Sequence, residues 1–236
     1  DNHVILSEEI VSLLSRRLDA IPQKMGYKQA LQYFTKLTIR EREIALVWLG
    51  KGHISSKDVK AFFPELALYM QSGIKSISSG KAWLDDYFQI YKQAKIANLY
   101  SVEIENQIRE KNADGVAFDK WYQSFKTTRT LLSGRSDIEA FYWIDGLGVD
   151  WIPFVSELIR QHEHENVYLN DVMIARAQLP TTTAVNKTEL QKLSDVDIQG
   201  MKVGDLDSLA HRSTNVYPQV LVEEIDVVKS SINKII

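Results

Sequence analysis

The chain has 236 residues and a formal net charge of −3, with 28 lysines and arginines against 31 acidic residues. This length is enough to bury a substantial core in one large domain or two modest ones. The near balance of charge argues against a general nucleic-acid-binding surface, although a local basic patch remains open. Because the sequence has no cysteine, disulfides and thiolate metal sites are excluded, and we expect a cytoplasmic protein. No apolar run is long enough for a membrane span, so we expect no membrane association.

The first 136 residues have the pattern of an all-helical domain. Ser7 is expected to cap a helix whose apolar residues recur at helical spacing. Further helical runs cover residues 27–37 and 39–49, and the second of them is closed by glycines. A long amphipathic helix is predicted to start near Trp83 and to run towards Asn112.

The pattern changes after residue 136. Residues 138–144 form a compact aromatic and β-branched run, which predicts a buried strand. Strand and helix then alternate, and this order predicts parallel strands joined by right-handed crossovers. The elements expected after the first strand are a helix over 151–162, a strand region over 167–175, a helix over 183–193, a loop over 194–205 and a helix over 217–236.

These patterns predict a mixed α+β fold with two domains. Residues 1–136 would form the helical N-terminal domain, and residues 137–236 would form the beginning of an α/β domain. The chain starts without methionine and ends in an apolar helical pattern that lacks a capping residue. Because natural domains seldom end in this way, we expect the chain to be the N-terminal piece of a longer protein.

The α/β region contains a carboxylate and a hydroxyl at the positions where such sheets bind ligands. Asp145 follows the predicted strand, and Gly146 allows the backbone to turn sharply after it. Thr183 lies where the next helix is predicted to begin, and a helix N-terminus favours anions. A divalent metal held by Asp145 would lower the pKa of the threonine hydroxyl and make it a nucleophile. Asn186 would donate to a phosphate oxygen.

Each of these residues also has an ordinary structural interpretation. Aspartate before glycine is common in turns, so Asp145 can be a turn residue. The three threonines at 181–183 can form a polar loop with a helix cap. Asn186 can face the solvent on the first turn of the helix.

Two other polar groups suggest metal ligands. His162 and His164 are two positions apart, a spacing that does not bring side chains together on a helix, so a solvent-exposed helix end is the simpler interpretation. Asp207 and His211 have the i, i+4 spacing that allows a shared ligand. An acidic residue near a helix N-terminus accounts for Asp207 equally well.

The order of short motifs resembles a known superfamily. Pro180, Thr183 and Asn186 follow the pattern Pro-x-x-Thr-x-x-Asn, and the preceding strand ends in Asp-Gly. This combination resembles the alkaline phosphatase superfamily, in particular its nucleotide phosphodiesterase-like and PglZ-type members. The later order Gly-Asp-Leu-Asp, Leu-Ala-His, Tyr-Pro and Val-Glu-Glu-Ile, within residues 204–225, is similar to that of PglZ domains. The resemblance covers residues 138–236.

The resemblance to PglZ domains implies a role for each site residue. Asp145 would be a metal ligand, Thr183 a metal-bound nucleophile that is transiently phosphorylated, and Asn186 a phosphate contact. It also implies a divalent cofactor, commonly zinc, and a place in bacterial phage-defence systems of the BREX type, where several proteins work together. The substrate would be a phosphate ester, a diester or a nucleotide.

The sequence also departs from this family. Its members use two metals, and their remaining aspartate and histidine ligands come from later motifs, including Asp-His-Gly, which do not occur here. We therefore expect the complete protein to be the hydrolase and this chain alone to be inactive. The alternative is a non-catalytic interaction or scaffold module of a defence complex, with a degenerate phosphatase-like domain.

Overall fold

A computed structural model describes residues 6–35, 38–74, 83–113, 117–191 and 199–236. These residues form a mostly helical protein with one two-stranded parallel sheet. None of the described helices is both long and apolar enough to cross a membrane. The helices are α1 Glu8–Met25, α2 Tyr27–Ala30, α3 Ile39–Gly50, α4 Ser56–Val59, α5 Pro64–Tyr69, α6 Trp83–Ala97, α7 Val102–Asn112, α8 Ala117–Gln123, α9 Thr128–Leu132, α10 Ile152–Arg160, α11 Thr183–Gln191, α12 Asp205–Ala210 and α13 Gln219–Ile235, and the strands are β1 Ala140–Ile144 and β2 Gln199–Val203.

Capping residues decide where several helices begin. Ser7 caps α1, as predicted. The single helix predicted over 83–112 is instead two helices, α6 and α7. Asn98 has a positive φ of 53°, which a helix cannot contain, and the Ser101 side chain accepts a hydrogen bond from the Ile104 N–H at 3.3 Å. The run predicted over 27–37 is also shorter, because α2 continues only as a 3-10 turn at Leu31–Tyr33.

The sheet confirms one predicted strand and corrects two other predictions. β1 lies within the predicted run 138–144 and pairs in parallel with β2, from Ala140 opposite Gln199 to Ile144 opposite Val203. The prediction of a loop over 194–205 was therefore wrong for β2. The strand region predicted over 167–175 is wrong too, because these residues are outside any strand. Its apolar side chains Tyr168 and Met173 are exposed rather than packed on a sheet face.

The hydrophobic core contains residues from both sides of the predicted domain boundary at residue 136. α13 packs against α3, α5 and α10, and the core includes Phe63, Phe154 and Ile225, each completely buried. Ion pairs join the same two parts of the chain, between Lys229 and Glu65 at 2.7 Å and between Lys95 and Glu224 at 2.6 Å. The boundary at residue 136 stays a prediction about domain organisation, but the described residues on its two sides share one core.

Gly50 marks the closest approach of α3 to α6, and it provides a test of this packing. A Cβ atom at this position would lie 2.5 Å from the Ile96 carbonyl oxygen and 2.9 Å from the Ala97 Cα. We expect Gly50→Ala to destabilise the protein by about 1–3 kcal/mol in urea unfolding, although alanine favours a helix, because backbone atoms must move apart. Gly73→Ala is the matched control, since its nearest neighbour would be Pro153 Cγ at 3.6 Å. Equal stability of the two variants would contradict this prediction.

Candidate phosphoryl-transfer site

Asp145 lies directly after β1 and extends its pairing by one residue. Its backbone N–H donates to the Val203 carbonyl at 3.0 Å, so the main chain at this point is fixed by the sheet. Gly146 follows with a φ of 83°, a conformation that turns the chain away and that side chains other than glycine seldom adopt. Asp145 as a whole residue is 7% exposed. The turn therefore holds a nearly buried carboxylate at the carboxyl end of the sheet.

Thr183 meets this carboxylate from the start of α11. Its Oγ1 donates to Asp145, with distances of 3.1 Å to Oδ2 and 3.4 Å to Oδ1. Thr183 is the first residue of a nine-residue helix, as predicted, whereas the predicted end of this helix at Leu193 lies outside the described residues. The structure thus brings together the two residues that the sequence singled out. A helix N-terminus has the dipole sign that favours an anion beside this hydroxyl.

Asn186 fixes the loop that carries Thr183. Its Oδ1 accepts from the Gln178 N–H at 2.7 Å, and its Nδ2 donates to the carbonyls of Gln178 at 3.2 Å and Thr182 at 3.1 Å. These three contacts use the side-chain amide to close the segment between Gln178 and the helix. The described geometry therefore gives Asn186 a positioning role, and its contact with a phosphate stays a prediction.

Lys202 is a site residue that sequence reasoning missed. Its Nζ lies 2.7 Å from Asp145 Oδ2, and this hydrogen bond raises the pKa of Lys202, so its ammonium stays charged. The pairing of β2 explains the contact: Lys202 lies opposite Trp143, whose side chain is on the same sheet face as that of Asp145 two residues later. Its Nζ is also 5.6 Å from the Trp143 ring centroid. A lone lysine forms no motif, so only the position of β2 reveals it.

A partly open cavity of about 470 Å³ contains the threonine–aspartate contact in its wall. This volume is within the range of about 300–1,000 Å³ that is typical of small-molecule sites. Arg129 of α9 and Arg176 provide positive charge along the cavity. Arg176 is held in place, because its Nε donates to the Phe125 carbonyl at 3.0 Å. The cavity therefore combines a hydroxyl, a carboxylate and cationic side chains, which suits a small phosphate ester.

Comparison of the chain with protein-family models, with curated proteins and with solved structures finds no match. The PglZ resemblance therefore depends on the short motifs within residues 138–236, and it stays a prediction.

The donor atoms around Asp145 fit a divalent cation in type. Carboxylate and hydroxyl oxygens suit hard divalent ions, and a carboxylate is also a common zinc ligand. In the part of the chain that the structure describes, no three His, Cys, Asp or Glu side chains are close enough to hold a metal together. The Asp207–His211 pair is an i, i+4 contact of 3.4 Å, and His162 contacts Glu165 at 3.0 Å. Among the described residues, Asp145 and Thr183 thus stay the predicted metal ligands, and a complete metal site would need additional ones.

Proposed function

We propose that this chain supplies the nucleophile and one metal ligand of a metal-dependent phosphoric ester hydrolase of the PglZ type, which acts in a bacterial phage-defence system. The observation that carries the proposal is the 3.1 Å hydrogen bond from Thr183 Oγ1 to Asp145 Oδ2. It joins the carboxyl end of a parallel strand to the first residue of a helix, the place where open α/β sheets bind their ligands. The finer assignment to phage defence comes from the PglZ resemblance.

The chemistry of the proposed reaction follows from the two side chains. Thr183 Oγ1 attacks the phosphorus atom, the bond from phosphorus to the leaving oxygen breaks, and a phosphothreonine forms. The hydroxyl proton passes through Asp145 Oδ2 and solvent to the leaving oxygen, which departs as the alcohol. Water then hydrolyses this ester and restores the hydroxyl, which releases phosphate from a monoester substrate and a phosphate monoester from a diester substrate. Asp145 holds the hydroxyl proton at Oδ2 and so directs the Oγ1 lone pairs away from itself. A divalent metal bound by Asp145 and Thr183 would lower the hydroxyl pKa and stabilise charge on the phosphate oxygens.

The positive groups of the cavity support an anionic substrate. The N-terminus of α11 favours the charge of a phosphate at Thr183, and Arg129 and Arg176 extend this positive field along the cavity wall. Because the later aspartate and histidine motifs of the PglZ family do not occur in the sequence, we expect the 236-residue chain alone to be inactive. The complete protein is therefore the form in which activity is measured.

The test is whether the complete protein forms a phosphothreonine at Thr183. The protein is incubated with an aryl phosphate monoester and zinc or manganese, quenched in acid, and analysed by peptide mass spectrometry. We expect phosphate on Thr183, no phosphate in Thr183→Val, and unchanged labelling in Thr182→Val. Thr182 is the matched control because it is the exposed neighbour in the same loop.

A partition measurement covers the case in which the intermediate decays too fast to be captured. An added alcohol competes with water for the phosphoryl group, and the ratio of transfer to hydrolysis is measured for aryl phosphates with different leaving groups. If all substrates form the same phosphothreonine, the ratio of transfer to hydrolysis is the same for each of them. The leaving group has already departed when the alcohol or water attacks the phosphothreonine. A ratio that changes with the leaving group contradicts the proposal.

A second candidate function is a non-catalytic interaction module. It is supported by a groove between α6, α7 and α13, where Leu99, Tyr100 and Ile108 are exposed. Exposed apolar groups that cluster in this way often mark contacts with other proteins. Metal analysis of the complete protein separates the two candidates. An interaction module predicts no bound metal and unchanged phage defence in Thr183→Val, whereas the hydrolase predicts bound metal and lost defence.

A further inference from the structure

We propose that Lys202 is an exchangeable cation of this site, which neutralises Asp145 until a divalent metal displaces it. The proposal rests on the proposed function, because it concerns the same carboxylate. It adds a residue that belongs to none of the motifs in the sequence, and it gives that residue a role in metal loading.

The first observation is the position of the ammonium. Lys202 Nζ lies 2.7 Å from Asp145 Oδ2, the same oxygen that accepts the Thr183 hydroxyl at 3.1 Å. One carboxylate oxygen therefore has a cation and the nucleophile beside it, which is the arrangement expected of a metal bound by Asp145 and Thr183. A metal ion in this place would repel the ammonium, so the two cations exclude each other at Oδ2.

The second observation is the difference in burial between the partners. The side chain of Asp145 is 9% exposed, whereas that of Lys202 is 41% exposed. Burying a charged carboxylate without a partner costs free energy, so the charged Asp145 needs a cation beside it. Lys202 can leave at little cost, because its flexible four-carbon chain already reaches the solvent. The ammonium is therefore suited to exchange, and the carboxylate is fixed.

The third observation is that Asp145 is not the only favourable neighbour of the Lys202 ammonium. The Trp143 ring lies 5.6 Å from Nζ, within the distance of a cation–π contact. Asp207, at the start of α12, lies close enough to add to the negative field at the ammonium. The ammonium charge is therefore stabilised by Trp143 and Asp207 as well as by Asp145, which favours its release from Oδ2.

The exchange has a consequence for metal loading. A metal that binds Asp145 must displace an ammonium as well as water, so the two described oxygen donors alone bind it weakly. Additional ligands from outside the described set would then decide whether the metal or Lys202 holds the carboxylate. The site would load when those ligands are in place and return to the lysine–aspartate pair when they are not.

The test measures the affinity of the 236-residue chain for Mn²⁺ by titration calorimetry. We expect Lys202→Met to bind Mn²⁺ about tenfold more tightly than the unchanged chain, because a competing positive charge is removed from the carboxylate oxygen that would bind the metal. Lys28→Met is the matched control, since Lys28 pairs at 2.8 Å with Asp58, whose side chain is 15% exposed, and neither residue lines the cavity of Asp145. We expect no change of affinity in this control. Asp145→Asn should remove the binding, both alone and in combination with Lys202→Met.

Terbium luminescence locates the bound ion. Tb³⁺ prefers oxygen ligands, and its emission is excited by a nearby indole. We expect emission from the chain on excitation of tryptophan, stronger emission in Lys202→Met at a given Tb³⁺ concentration, and loss of this gain when Trp143→Phe is added. Near-UV circular dichroism checks the fold of each variant, and Lys202→Gln replaces Lys202→Met if the latter is misfolded.

The outcomes separate the two proposals. Equal or weaker Mn²⁺ binding in Lys202→Met, with binding lost in Asp145→Asn, overturns the exchange and leaves the metal role of Asp145 intact. Unchanged binding in Asp145→Asn overturns the metal role itself, and the exchange with it. A terbium gain that survives Trp143→Phe places the ion elsewhere and also overturns the exchange. The phosphothreonine measurement at Thr183 is independent of all three results.

Discussion

Thr183→Val in the complete protein is expected to lower kcat by at least about 10³-fold, a loss typical for the removal of a catalytic nucleophile. Valine keeps the β-branched shape of threonine but has no hydroxyl, so it removes the attacking atom and its bond to Asp145 with little change in volume. Thr183→Ser should keep part of the activity, because the hydroxyl remains while its rotamer is less restricted. The measurement is kcat at saturating substrate and metal.

Controls separate a loss of chemistry from a loss of structure. Thr182→Val changes the exposed neighbour in the same loop and should leave kcat within about twofold, as expected for a surface substitution. Thermal unfolding should show that Thr183→Val is folded, because Thr183 is only half-buried. If Thr183→Val kept more than about a tenth of kcat, a loss too small for a nucleophile, Thr183 could not be the attacking group.

The two strands show what sequence patterns can predict in this fold. β1 is an unbroken run of apolar and aromatic residues, a pattern with few other interpretations. β2 has the sequence Gln-Gly-Met-Lys-Val, in which glycine and two polar residues weaken the strand pattern. Its conformation depends on pairing with β1, a contact between distant parts of the chain. Local propensity therefore identified the first strand and missed its partner.

The candidate site also contains residues that local sequence patterns predicted and one residue that they did not. Asp145 and Thr183 each have a local signal, a glycine turn after a strand and a helix start, so their positions could be predicted separately. Their contact was expected from the rule that such sites gather at the carboxyl edge of a parallel sheet, but only Asp145 follows a strand, because residues 167–175 before Thr183 form none. Lys202 has no local signal, because its place depends on the register between β1 and β2. Residues fixed by tertiary pairing are thus the part that sequence reasoning missed.

Lys92 is a second residue whose environment the sequence did not indicate. It lies on α6, which has the amphipathic pattern of a helix with a solvent-facing side, yet it is completely buried. Its Nζ donates to the Gln71 carbonyl at 2.5 Å and lies 5.7 Å from the Tyr69 ring centroid. The Tyr69 hydroxyl in turn donates to the buried Asp150 at 2.9 Å. A lysine in such surroundings should make stability depend on pH.

Between pH 8 and pH 10, the free energy of unfolding is expected to rise as the pH is raised. Burial lowers the pKa of Lys92 from its ordinary 10.5 to about 8, mainly because the ammonium loses its water. Between these two values the unfolded chain binds a proton at Lys92 that the folded protein does not bind, so the slope of stability against pH is positive. The slope approaches about 1.4 kcal/mol per pH unit at most, and the total gain is about 3 kcal/mol or less.

The rise in the free energy of unfolding is expected to end near pH 10 because the neighbouring Tyr69 hydroxyl begins to titrate in the unfolded chain. Burial and the hydrogen bond to Asp150 raise the pKa of Tyr69, so above pH 10 the unfolded chain loses this proton first and stability falls again. The measurement is urea unfolding at pH 8, 9 and 10, with Lys92→Met expected to remove the rise because it keeps the length of the chain but not its charge. Lys120→Met, on the exposed face of α8, should keep the rise. A rise that persists in Lys92→Met would assign the pH dependence to another group, whereas a flat profile in the unchanged protein would mean that the buried ammonium is stabilised as well in the folded protein as in water.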